Sequence, residues 1–212
     1  MTIENINALD EAKLLGYFES IKSVFLLKLI LLTSVLKTRS DGQPTIDTTN
    51  LGGAIREVKD LIDDPIFYKS LEKGNLELVQ NFQDDIGTSL FISSWIVFEQ
   101  ITKDLVKTDY ATQTDELSVC YQNKRFEFSA REKRDIALFY YIRNAVLHYN
   151  GAYYAASDID HRYDGVDFRS NGHHGEKIDT SIARSWKIAT DIQRYTIKAW
   201  SNAKRNRSRL RR

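Results

Sequence analysis

Arg143, Asn144 and His148, which close an apolar segment, are the residues of this chain best suited to chemistry. Histidine has a pKa of about 6.5, so it can take or give a proton near neutral pH. Arginine offers two parallel N–H donors to a phosphate that gathers negative charge during a reaction. Because burying an unpaired guanidinium is costly, Arg143 needs either a partner or a function.

The spacing of these residues decides which of them can face one ligand. On a helix, Asn144 and His148 are four residues apart and share a face. Arg143 and His148 are five apart, which is about 140° around the axis. They can still contact one phosphate if the guanidinium reaches around the helix, or if the last turn distorts near Asn150 and Gly151. Together the three side chains supply what metal-free RNA cleavage requires.

The segment Arg-Asn-Ala-Val-Leu-His at positions 143–148 resembles the R-(N/D/H)-x-x-x-H motif of the HEPN superfamily, the higher eukaryotes and prokaryotes nucleotide-binding domains. Its position late in a helix of an all-α bundle is also similar to that family. The preceding long helix, with Ser94-Trp95 and Phe98-Glu99, resembles the aromatic-plus-glutamate helix common there. The resemblance is strongest over residues 75–202.

The resemblance implies a metal-independent endoribonuclease that needs no cofactor. His148 would be the general acid or base, Arg143 would stabilise the transition state, and Asn144 would orient the phosphate or the histidine. The ribose 2′-OH would attack the adjacent phosphorus and leave a 2′,3′-cyclic phosphate and a 5′-OH. Members of this type are usually homodimers whose motifs meet in one cleft, so two His148 side chains should approach each other across a two-fold axis.

The resemblance also implies a biological setting, a toxin–antitoxin or antiviral defence system with RNA as substrate and an antitoxin or defence protein as a further partner. A subset of the family has a tyrosine two residues after the histidine, which a nucleotidyltransferase antitoxin modifies. Here that position is Asn150, and Tyr149 lies one residue too early. We therefore do not predict that pairing.

Other interpretations of the same residues stay open. His148 can simply interact with the helix dipole, and Arg143 can form a structural salt bridge, with Glu99 as the expected partner. The chain can be a catalytically silent HEPN-like module that binds a nucleotide or a protein. In the enzyme Arg143 and His148 should line an open cleft, whereas in the silent module they should be tied up in internal contacts. A third possibility is a structural bundle that binds nucleic acid through a basic tail.

Two further groups of residues are candidates for RNA contact. Tyr149 and Tyr153 can stack on bases beside a cationic site, although core packing explains them nearly as well. Residues 204–212 carry six positive charges in a chain whose net charge is only +1. This pattern is typical of a disordered tail, which either contacts polyanions or is merely solvated. The candidates in the tail are Lys204, Arg205, Arg207 and Arg209.

Composition favours a helical, cytoplasmic protein. Two prolines and ten glycines in 212 residues leave long uninterrupted segments. Cys120 is the single cysteine, which excludes an internal disulfide and fits a reducing cytosol. We find no signal peptide. The most apolar run, residues 24–36, contains Lys28 and is too short to span a bilayer of about 30 Å, so no membrane association is expected.

Apolar periodicity predicts an all-α bundle of four to five long helices in a single domain, residues 1–203. Long helices are expected over residues 5–37, 75–107, 129–149 and 180–202, with short ones at 49–62 and 65–74. A capping box at Ser129 and Glu132 begins the third long helix. Residues 38–47 should form a loop, 117–128 a short hairpin or an extended lid, and 151–178 a long irregular loop.

Metal and nucleotide-cofactor chemistry find little support in the sequence. His161, His173 and His174 lie among acidic residues, but adjacent histidines in a Gly-flanked loop have no fixed ligand geometry. The chain has no P-loop, Gly-rich dinucleotide turn, Gly-x-Ser-x-Gly or zinc spacing. These absences argue against kinases, dehydrogenases and hydrolases of those types.

Overall fold

A computed structural model describes residues 9–38, 44–46, 76–107, 124–155 and 158–210 of the chain. The predicted mainly α fold with a minor β-hairpin is confirmed. The described elements are α1 (Glu11–Val35), β1 (Leu36–Thr38), β2 (Pro44–Ile46), α2 (Leu76–Lys107), a 3₁₀ turn (Lys124–Phe126), α3 (Ala130–His148), β3 (Asp160–Tyr163), β4 (Val166–Arg169) and α4 (Ile182–Leu210). The short helices expected at 49–62 and 65–74 lie outside the described residues.

Helix α1 begins where Asp10 caps it, with the Lys13 backbone N–H donating to Asp10 Oδ1 at 2.8 Å. Its buried side chains include Leu14, Phe18 and Phe25. The expected loop at 38–47 is partly wrong, because β1 and β2 pair antiparallel with Leu36 opposite Ile46 and Thr38 opposite Pro44.

Helix α2 confirms the long helix predicted over residues 75–107. Its apolar stripe packs along α4 and α1, and Trp95, Phe98 and Ile101 are almost fully buried in the main core. Ile96, by contrast, is 54% exposed. The stripe therefore covers one side of the helix and leaves the opposite side to solvent.

Helix α3 begins at the predicted capping box. The Glu132 backbone N–H donates to Ser129 Oγ at 3.2 Å, and the Ser129 backbone N–H donates to Glu132 Oε2 at 2.7 Å. The hairpin expected at 117–128 is wrong over its described part, because Lys124–Phe126 forms a 3₁₀ turn. Residues 117–123 lie outside the described chain.

A hairpin is formed by β3 and β4, inside the segment expected to be irregular. Asp164 and Gly165 join the two strands, with φ of 50° and 79°. Positive φ at both central residues matches the strand twist, which is why Asp-Gly is a strong hairpin signal. Inward-facing Tyr163 and Phe168 are buried in the main core and hold the hairpin against the bundle.

Helix α4 continues well beyond residue 202, so the prediction of a disordered tail from residue 204 is wrong as far as Leu210. Lys204 Nζ donates to the Leu9 carbonyl at 2.7 Å and lies over the Trp200 ring. Arg205 pairs with Glu127 at 2.6 Å. These contacts join the basic segment to the chain before α1 and to the segment before α3.

No helix in the described ranges combines the length and the apolar character needed to cross a membrane.

Candidate active site

The C-terminal half of α3 has a buried side and a solvent-facing side. Ile142 and Ala145 are fully buried. A 140° arc on the other side carries Tyr140, Arg143, Asn144, Leu147 and His148. Arg143 and His148 form the two edges of this arc, and Asn144 lies between them. Although Arg143 and His148 are about 140° apart around the axis, both therefore belong to one solvent-facing surface.

Asn144 holds the arginine rather than the histidine. Arg143 NH1 donates to Asn144 Oδ1 at 2.8 Å, and both side chains are half-buried. A guanidinium has five donors, so this bond leaves others for an anionic ligand. In the described structure the Asn144 side chain therefore contacts Arg143, and its expected role in orienting a phosphate or the histidine stays a prediction.

All three motif residues line one open cavity of about 590 Å³. The volume falls in the usual range for small-molecule sites. Helix α3 and the segment after it form the walls. The lining residues are Ala137, Tyr140, Tyr141, Arg143, Asn144, His148, Tyr149, Tyr154, Asp158 and Ile159.

Beside the motif, three tyrosines form a column. Tyr154 stacks on Tyr141 with ring centroids 4.3 Å apart and on Tyr149 with centroids 4.2 Å apart, at interplanar angles of 6° and 8°. Because Tyr141 and Tyr149 cannot both stack on the same face of the Tyr154 ring, Tyr154 lies in the middle of the column. Tyr141 and Tyr154 are buried, whereas Tyr149 is 43% exposed. Tyr149 therefore ends the column at the cavity.

Backbone geometry at the end of α3 fixes Tyr149. The Ala145 carbonyl accepts from the backbone N–H groups of Tyr149 and Gly151, each at 2.9 Å. Asn150 and Gly151 have φ of 52° and 72°, which ends the helix as the sequence predicts. Lys177 Nζ donates to the Asn150 carbonyl.

Tyr141 pins the other end of the column. Its hydroxyl accepts from the Tyr154 backbone N–H at 2.8 Å and donates to the Tyr154 carbonyl at 3.0 Å. Burial is the main cause that raises the pKa of the Tyr141 hydroxyl, so the hydroxyl stays protonated and can donate.

On the far side of α3, a buried carboxylate joins α3 to α4 and to the hairpin. Asp135, 3% exposed, accepts from the Tyr195 hydroxyl at 2.7 Å. His161 Nε2 lies 2.6 Å from the other oxygen of Asp135. Burial and then the bond to Asp135 raise the pKa of Tyr195. His161, considered above as a metal ligand, thus holds the hairpin on α3.

Other residues proposed from the sequence lie outside this cavity. Tyr153 is half-buried against Tyr141 and His173. Glu99 accepts from Trp95 Nε1 at 3.1 Å and from Lys103 Nζ at 2.7 Å, so its partners differ from the expected Arg143.

The basic residues named as RNA contacts belong to α4. Lys204 and Arg205 make the internal contacts described above, and Arg207 and Arg209 follow them in the same helix. Their incorporation into a packed helix differs from the flexible arm expected from the charge pattern.

Sequence reasoning missed Tyr140, Tyr141 and Asp158 as parts of this cavity. The tyrosines lie four and three residues before Asn144, a spacing that places them beside it on a helix. Asp158 carried no comparable signal, since only the fold brings it to the motif.

Within the described residues, no three His, Cys, Asp or Glu side chains are grouped so that they could hold a metal ion. His173, in the adjacent-histidine loop, is exposed and lies 2.9 Å from Glu176.

Comparison with protein-family models, with curated proteins and with solved structures yields no match to this chain.

Proposed function

We propose that this protein is a HEPN-like, metal-independent endoribonuclease. The observation that carries the proposal is that Arg143, Asn144 and His148 line one open cavity. This is the arrangement expected of the enzyme, whereas a silent module should bury these groups in internal contacts. The hydrogen bond of Arg143 to Asn144 stays within the cavity wall and aims the guanidinium without neutralising it.

The chemistry follows from the groups present. The ribose O2′ attacks the adjacent phosphorus, its proton passes to a base, and the P–O5′ bond breaks as O5′ receives a proton. The products are a 2′,3′-cyclic phosphate and a 5′-OH. His148 supplies the proton transfer. Arg143 stabilises the negative charge that builds on the non-bridging oxygens.

A second copy of the chain would complete the acid–base pair. One solvent-facing histidine can serve either as the base or as the acid, whereas cleavage in a single step needs a base and an acid together. Tyr140 and Leu147, 36% and 49% exposed, lie on the same arc of α3 as the motif. Exposed apolar side chains beside a site favour association, so this arc is suited to a two-fold interface. The proposed setting is cytoplasmic toxin–antitoxin or antiviral defence.

The test is cleavage of single-stranded RNA in the presence of EDTA. Wild type should cut, and both Arg143→Ala and His148→Ala should lower the rate by at least about a hundredfold, the size of a lost acid–base or oxyanion contribution. Matched controls are Arg169→Ala and His173→Ala, since both side chains are exposed and lie outside the cavity. These controls should keep full activity.

Product analysis should find a 2′,3′-cyclic phosphate, and a 2′-deoxy residue at the cut position should block cleavage. Activity that survives both motif substitutions, or that requires a divalent ion, would refute this mechanism. RNA binding without cleavage would instead support the silent nucleotide-binding module.

A further inference from the structure

The lining of the cavity beside the motif combines two kinds of group. Arg143 and His148 can attract a phosphate. Tyr149 adds an aromatic ring, and Asp158 adds a carboxylate. Asp158 is exposed, and no ion pair to it occurs within the described ranges. A negative carboxylate repels phosphate, so it directs the backbone of a bound strand toward Arg143.

We infer that this cavity takes one nucleotide of single-stranded RNA next to the cleaved phosphate and selects guanine. Its base would stack on Tyr149, and Asp158 would accept hydrogen bonds from its Watson–Crick edge. This inference rests on the proposed function for the identity of the ligand as RNA. It adds the substrate preference.

The tyrosine column gives Tyr149 the properties of a stacking platform. Its inner face is filled by Tyr154 at 4.2 Å, so only its outer face is open to a base. Tyr154 stacks in turn on Tyr141. The Tyr141 hydroxyl makes two hydrogen bonds to the Tyr154 backbone, which hold the two residues together. A platform already held in place loses little entropy when a base stacks on it. Stacking requires an unpaired base, which excludes duplex RNA.

Asp158 determines which base is preferred. An ionised carboxylate only accepts hydrogen bonds, through two oxygens side by side. Guanine offers two adjacent donors, N1–H and the exocyclic amine. Adenine and cytosine offer one amine beside an acceptor nitrogen, and uracil places carbonyl oxygens on both sides of its N3–H. Guanine therefore matches the carboxylate best, and uracil least.

The experiment measures binding of short single-stranded oligonucleotides in which a 2′-deoxy sugar blocks cleavage. Each carries one central guanine, adenine, cytosine or uracil in the same context. Fluorescence anisotropy should give about tenfold tighter binding for guanine than for uracil, which is the lower end of the discrimination that a bidentate base contact provides. The same guanine placed in a duplex should lose this binding.

Asp158→Asn should abolish the guanine preference and leave affinity for uracil unchanged or slightly increased, because the substitution also removes the charge that repels phosphate. Asp160→Asn is the matched control, because Asp160 is exposed, pairs with Arg169 at 3.2 Å and lies outside the cavity. Tyr149→Leu should weaken binding of every base about tenfold, whereas Tyr149→Phe should restore it. Unchanged circular dichroism melting would show that Tyr149→Leu is folded. If Tyr149→Leu does not fold, the Asp158→Asn variant still tests the guanine preference, and Tyr149→Phe should bind as wild type does.

Equal binding of all four bases by wild type, or a guanine preference that persists in Asp158→Asn, would overturn the inference. Failure of the proposed function looks different. In that case unblocked RNA is not cut, or is cut by the Arg143→Ala and His148→Ala variants. Cleavage at equal rates after every base would refute the guanine preference and leave the proposed function standing.

Discussion

At the residue scale, the hydrogen bond between neighbouring side chains gives the motif a more specific geometry than its spacing implies. Arg143 has several rotatable bonds and would sample many positions in an open cavity. Its bond to Asn144 Oδ1 at 2.8 Å restricts the guanidinium to the cavity wall. In the proposed enzyme, Asn144 would accordingly be a positioning residue whose side chain acts on the phosphate through the arginine.

Asn144→Ala should therefore reduce cleavage about tenfold to a hundredfold, because a misplaced charge stabilises the transition state less. The loss should be smaller than in Arg143→Ala, since the guanidinium remains. Asn144→Asp should also reduce the rate, because a carboxylate would neutralise the arginine. Single-turnover kinetics measures these effects, with the exposed Asn171→Ala as control. Full activity in both Asn144 variants would contradict the positioning role.

At the element scale, the buried carboxylate of Asp135 links α3 to the elements on its far side. It accepts from Tyr195 of α4 and lies 2.6 Å from His161 of β3. Tyr163 of the same hairpin donates to Asp191 of α4 at 2.7 Å. These polar contacts hold α3 against the packed elements, so that its motif face remains turned toward the cavity.

Asp135→Ala should lower the free energy of unfolding by about 3 kcal/mol, because it leaves a buried hydroxyl and imidazole without their acceptor. Asp135→Asn should cost less, since an amide oxygen can still accept one bond. Urea denaturation provides the measurement, and Asp160→Asn, with an exposed side chain on the hairpin, is the control. A loss within about 0.5 kcal/mol, the usual range for surface changes, would contradict the linking role.

Buried tyrosines predict a loss of stability in alkali. Burial and then bonds to Asp191 and Asp135 raise the pKa values of Tyr163 and Tyr195 above the unfolded value of about 10. The folded state therefore holds these protons more tightly. The associated stability is fully present below pH 10 and declines as the pH rises above 10.

Tyr195→Phe should thus lower stability at pH 8 but reduce the further decline between about pH 10 and 11. Tyr140→Phe, on the exposed arc of α3, should leave the alkaline decline unchanged. Thermal or urea unfolding at a series of pH values measures both. An identical alkaline slope in Tyr195→Phe and wild type would exclude a contribution from Tyr195.

At the scale of the whole molecule, the described fold places the motif on an open outer surface. α2 and α4 pack along each other and hold α3 by its buried side. Tyr140, Leu147 and His148 then face outward. If the proposed function is correct, a site on such an open surface needs further walls, and a second copy of the chain would supply them.

If the two motifs meet across a two-fold axis, His148→Cys in a Cys120→Ser background should form an intermolecular disulfide under mild oxidation. A disulfide needs Cα atoms within about 7 Å, so efficient cross-linking reports a close approach. His173→Cys in the same background is the matched control and should remain uncross-linked. Sedimentation should give a dimer mass for wild type. A monomer at all concentrations would refute the facing-motif arrangement.

Features that depend on neighbours along the chain could be predicted from the sequence. The capping box at Ser129, the stop after His148 and the stripe of α2 arise from contacts within about one or two helical turns, so periodicity and residue type suffice to predict them. The Asp164-Gly165 turn is equally local, and the hairpin was missed because its short strands lie in a polar segment.

The surroundings of the motif, in contrast, depend on how the elements pack. Lys204 reaches Leu9, and Asp158 shares a cavity with Arg143, across sequence separations that no local pattern encodes. Tyr149 and Tyr153 looked equivalent in the sequence, but packing left only Tyr149 at the cavity. The physical reason is that burial and pairing depend on which surfaces the packed elements cover, and this is settled by the fold as a whole.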